Sequence, residues 1–127
     1  MGRAAETEGH ILEAFRLSPR DIGTYWWMFC MGLAKVQLGR NAEAVGWLQR
    51  SIEANRNFAT SHFALAAVFG LLGAVDEART FAKTGLALNP GFTIHRFRTT
   101  RSSDNASYLA GHERLSEGMR IAGLPEG

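Results

Sequence analysis

Apolar residues recur along this chain at helical spacing. Ile11, Ala14 and Phe15 fall at i, i+3 and i+4, with Leu12 and Leu17 beside them, and predict a helix over residues 3–17. Ser18-Pro19-Arg20-Asp21 stops it, because the residue before a proline is held out of the helical region. A second helix is expected from Ile22 or Thr24 to Leu38, apolar almost all round through Tyr25, Trp26, Trp27, Met28, Phe29, Met31, Leu33 and Val36. So little polar surface requires cover on more than one side. Gly39 supplies its stop. A third helix, 41–54, carries Ala44, Val45, Leu48 and Ile52 as a stripe, with Asn41 placed to cap it. Phe58 to Leu72 and Val75 to Leu88 are the next two, separated by Gly73 and followed by the breaker Asn89-Pro90-Gly91. From Thr93 to Ser103 the order alternates, Ile94, Arg96 and Arg98 against His95 and Phe97, and predicts an extended connector. Asp104 can cap a last helix over 105–122, where Tyr108, His112, Leu115, Met119 and Ala122 share one face. Nothing reads as a strand. The expectation is an all-α chain of antiparallel helices joined by short turns.

The pattern repeats. Leu38-Gly39 and Leu72-Gly73, Glu43-Ala44 and Glu77-Ala78, and the breaks at Asn55 and Asn89 are each 34 residues apart. A period of this length marks stacked helical units, none of which can bury its apolar face alone. Small residues at Gly32, Ala66, Ala44 and Ala78 let paired helices approach closely, and large ones fill the groove between.

A 34-residue helix–turn–helix unit with glycine at the turn and alanine on the second helix resembles the tetratricopeptide (TPR) repeat. Met28, Met31, Gly32, Gly39, Ala44, Leu48, Ser51 and Arg56 stand at its signature places in one unit. His62, Leu65, Ala66, Gly73, Ala78, Ala82, Gly85 and Pro90 stand there in the next. The departures are Met28 and His62 for the usual aromatic, Lys35 for the usual tyrosine, and Arg56 for the closing proline. The resemblance implies a right-handed α-solenoid in one domain spanning 1–127. Residues 3–19 would be the second helix of a truncated repeat, 24–57 and 58–91 two full repeats, 92–104 the connector and 105–122 a C-terminal capping helix. A helix lacking its partner at the start reads as a piece of a longer protein. The tail, Gly91 to Phe97 and Gly118 to Glu126, and the early Leu17 to Asp21 and Tyr25-Trp26-Trp27 are similar to the C-terminus of bacterial multidomain regulators. In those proteins a TPR array follows an adenylate/guanylate cyclase-type or winged-helix domain. No cyclase catalytic motif is present in these residues, so the chain is expected not to be an enzyme.

Composition narrows the picture without redirecting it. The 127 residues are 46% hydrophobic and 20% charged, the balance of a globular domain. No apolar run reaches the roughly 18–20 residues of a membrane span, and Met1 to His10 lacks the basic-then-apolar order of a signal peptide. A lone Cys30 excludes an internal disulfide and fits a reducing, cytoplasmic setting. The net charge of +2 argues against nucleic acid, which requires a dense basic face. Arg96, Arg98 and Arg101 are too few to bind phosphates alone and are expected to pair with nearby acids.

By repeat position, Trp26, Phe29, Leu33, Val36 and Gln37 of the first unit line the concave side, with Thr60, Phe63, Ala67 and Leu71 of the second. They form an apolar groove for a protein or peptide partner, or for a second copy. The alternative is that the chain's own last helix fills it. Phe29 and Leu33 stand where chaperone-tail-binding TPR proteins carry a carboxylate clamp of lysine and asparagine, which disfavours that ligand. A small molecule held near Trp26, Cys30 and His62 is the reading from another class. No cofactor or metal is expected: the four histidines lack ligand companions at metal spacing. His62 is expected to pack and bond to backbone, and Cys30 to sit as a small hydrophobe.

Overall fold

The computed structural model describes residues 23–99 and 106–127, with the side chains of 106–109 excepted. Among these residues there are six helices and no strand. They are α1 Thr24–Gln37, α2 Asn41–Ala54, α3 Ala59–Leu71, α4 Val75–Leu88, α5 Ile94–Thr99 and α6 Ala106–Ile121. The expected helix over 3–17 and the Asp104 cap lie outside the described residues.

Three of the helices, α1, α3 and α6, end in the same way, whereas α2 and α4 run out into extended backbone at Asn55 and Asn89. Gly39, Gly73 and Gly123 hold φ of 76°, 84° and 86°, a left-handed conformation that costs a residue with a Cβ. At each, two backbone bonds close the last turn: Gly39 to Val36 and Arg40 to Lys35, Gly73 to Gly70 and Ala74 to Phe69, Gly123 to Arg120 and Leu124 to Met119. This double closure satisfies carbonyls that the helix leaves without partners.

α1 packs on α2 and α3 on α4, while α2 packs on α3, so the two hairpins stack. The small residues do what the pattern requires. A side chain at Gly32 would collide with Leu48, and one at Gly85 would meet the Phe63 ring at 2.6 Å. Ala44, Ala66 and Ala78 are fully buried. Ser51 of α2 fastens three helices: its Oγ donates to the Tyr25 carbonyl of α1 at 2.8 Å and lies 2.7 Å from Ser61 Oγ of α3.

Two expectations change. Asn41 does not cap α2; it is the first helical residue, Arg40 holds the cap position, and no side chain bonds there. The stretch 92–104 is not extended throughout, because Ile94–Thr99 is a short helix. Ile94 and Phe97, three apart, share its inner face, and the Arg96 N–H is capped by Thr93 Oγ1 at 3.1 Å. The first N–H groups, of Ile94 and His95, donate to the carbonyls of Pro125 and Glu126. The alternation is the i, i+3 spacing of a single turn, held helical by a chain end more than 30 residues away.

Candidate functional site

The face that α1 and α3 present together is the candidate site, and α6 lies across part of it. α6 packs chiefly on α3 and also on α1, α4 and α5. Its glycines set the approach. A Cβ on Gly118 would fall on the Ala67 carbonyl of α3, and one on Gly70 would sit 2.6 Å from the Gly118 carbonyl. Nearer the start of α6, a Cβ on Gly111 would come within 2.8 Å of Gln37 Cγ. Between these points Arg114 donates through Nη2 to the Val36 carbonyl at 2.8 Å and the Gln37 carbonyl at 3.3 Å. A cation on the last carbonyls of α1 is favoured by the helix dipole as well as by the bonds. Leu115, Met119, Ala122 and Leu124 are buried alongside.

The predicted groove residues therefore divide. Val36, Gln37 and Ala67 meet α6. Leu33 and Leu71 are half-buried. Phe63 is 1% exposed and turns toward α4, its ring against Gly85 and stacked on Phe92 at 3.8 Å. Phe29 is 6% exposed and meets Phe58 edge-on at 5.4 Å. Trp26 and Thr60 remain exposed. Trp26, at 47%, is the open member of a cluster with Tyr25, Phe29 and Phe58. That corner lies at the N-terminal end of α1 and the start of α3, whereas Arg114 clamps the other end of α1.

Most of the groups considered for chemistry are accounted for by packing, the exception being His62 Nδ1, which is buried without a hydrogen-bond partner. Cys30 is half-buried, and burial pushes its thiol up to about 11, far from the thiolate that a nucleophile requires. His62 is 4% exposed, and its Nε2 lies 3.0 Å from the Arg56 carbonyl. A carbonyl only accepts, so Nε2 carries the proton there. His112 of α6 stacks flat on Phe97 of α5 at 4.0 Å. Lys35 is buried and pairs with Glu43 at 3.4 Å. Arg98 pairs with Glu113 at 3.0 Å, joining α5 to α6. Among the described residues no group of three or more His, Cys, Asp or Glu could hold a metal, and no helix is long and apolar enough to cross a membrane.

Sequence reasoning missed the Arg114 clamp and the Gly111/Gly118 contacts. The signal was present: two glycines seven apart inside a helical pattern, with an arginine three residues after the first. A glycine within a helix weakens it unless something approaches closely. Comparison with protein-family models and with curated proteins finds no match.

Proposed function

We propose that this chain is a non-catalytic protein–protein interaction module, a TPR-like α-solenoid that serves as the C-terminal regulatory or scaffolding part of a bacterial signalling protein. The observation that carries this reading is the open aromatic corner, with Trp26 nearly half exposed on Phe29 and Phe58. An indole held by packed neighbours loses little freedom on contact, which is why tryptophan dominates so many interfaces. The 34-residue register of the helical hairpins supports the solenoid reading. The tail resemblance supports the regulatory setting. The reading invokes no cofactor, and its partner is a protein.

Phe29 and Phe63 are unsuitable for testing it, because charging either would break the core. Trp26→Glu with Thr60→Glu alters only exposed positions. Circular dichroism should show an unchanged fold. Proteins retained by the immobilised wild-type chain should be lost from the variant, and each should bind it at least tenfold more weakly on titration. Equal retention by both chains, with the fold intact, refutes the reading.

A further inference from the structure

The contact between α6 and the α1–α3 face has the form of a ligand in a groove. On the α1–α3 side the fit of α6 is set by backbone approach at Gly118 and Gly111 and by one arginine between them, while Arg98–Glu113 and the Phe97–His112 stack join it to α5. The groove side is small where α6 comes closest, at Ala67 and Gly70. The carbonyls that receive Arg114, those of Val36 and Gln37, are in the last turn of α1, where intrahelical donors run out. Water can take the place of Arg114 there, so removing α6 strands no backbone group in that turn. α6 itself carries two glycines and is therefore a weak helix alone. Its helical state depends on the face it lies against.

We propose that α6 is an exchangeable strap. The α1–α3 face accepts one helix with small residues seven positions apart and an arginine between them, either from its own chain or from a second copy. The second occupant follows from the sequence, since every copy carries both the groove and the helix that fits it. A two-way exchange closes on itself as a symmetric dimer and leaves no open end. Within one chain the strap sees its groove at an effective concentration on the order of millimolar, so the closed monomer prevails in dilute solution. Exchange sets in when the strap is displaced or the copies are concentrated. The proposal rests on reading the chain as an interaction module but uses residues remote from the Trp26 corner.

The test is complementation between two full-length variants. Gly118→Leu spoils the strap and leaves the groove intact. Gly70→Leu spoils the groove and leaves the strap intact, because a side chain there strikes the Gly118 carbonyl. Each variant alone should sediment as a monomer, retain α1–α4, and show rapid hydrogen exchange over residues 106–121. Mixed one to one, they should form a heterodimer in which that exchange slows at least tenfold in one of the two chains. Adding Trp26→Glu to both partners should leave the heterodimer unchanged, which separates this inference from the function proposed above. Three results overturn it: a mixture that stays monomeric, a Gly118→Leu strap that remains protected in the monomer, or either variant losing α1–α4 together with α6. The last would make α6 an inseparable part of the folding unit.

Discussion

Replacing Ser51 with alanine should cost more than its size suggests, and the structure says why. Ser51 and Ser61 are fully buried. Ser51 Oγ has one proton and gives it to the Tyr25 carbonyl at 2.8 Å. The 2.7 Å contact between the hydroxyls must therefore be donated by Ser61. The relay runs from α3 through α2 to α1. Ser61→Ala removes one bond and leaves only an unfilled acceptor on Ser51, a loss of about 1 kcal/mol. Ser51→Ala removes two bonds and leaves the Ser61 hydroxyl buried without its acceptor, a loss of about 3 kcal/mol. In the double variant the stranded hydroxyl is gone, so Ser51→Ala/Ser61→Ala should be no less stable than Ser51→Ala alone. Urea unfolding of the four proteins, with equal m-values confirming comparable transitions, gives the cycle directly. Additive losses, or a Ser61→Ala loss as large as that of Ser51→Ala, would refute the donor order and with it the relay.

The remaining predictions use the same contacts. Gly85→Ala should destabilise by about 1–3 kcal/mol, because its methyl would press on the Phe63 ring. Gly46→Ala, also inside a helix but with nothing near it, should stabilise by about 0.5–1 kcal/mol; thermal or urea melts reporting the same sign for both would contradict the packing. The Cys30 thiol, held at about 11 against an ordinary 9.0, should react with a disulfide reagent about a hundredfold more slowly at pH 8 in the folded chain than in urea. The sign of its effect on stability follows. The unfolded chain releases this proton first, so the contribution is complete below pH 9 and is lost as pH rises from 9 to about 11.

The helices and their stops were legible because each rests on local chemistry. Glycine after Leu38 and Leu72 permits the left-handed closure, and the apolar stripes of α2 and α4 face the hairpin partner. What was not legible depended on distant partners. Ile94–Thr99 is helical because the chain terminus supplies carbonyls to its first N–H groups, which no window around residue 94 contains. Val36, Gln37 and Ala67 were placed on the groove by register, but what covers them is decided by three residues of α6. Arg114 looks like a surface charge until the end of α1 is brought beneath it.

The repeat itself separates the structural aromatics from the one that remains open. Phe29 and Phe63 are 34 residues apart, as are Phe58 and Phe92. Phe29 meets Phe58, and Phe63 meets Phe92. The same pair thus closes each hairpin where the chain leaves its second helix, which accounts for the near-complete burial of Phe29 and Phe63 without a partner. Assigning both to a binding groove took a repeated packing device for a recognition feature. Trp26 stands at the same register as Thr60, and only in the first unit does an indole extend the aromatic pair into solvent. A residue present in both copies is sufficiently explained by the stacking of the units. A large apolar residue present in one copy, and exposed there, is not required by that stacking; Trp26 and Leu88, whose counterpart is Ala54, both meet that test, and of the two Trp26 is the one set on a packed aromatic cluster.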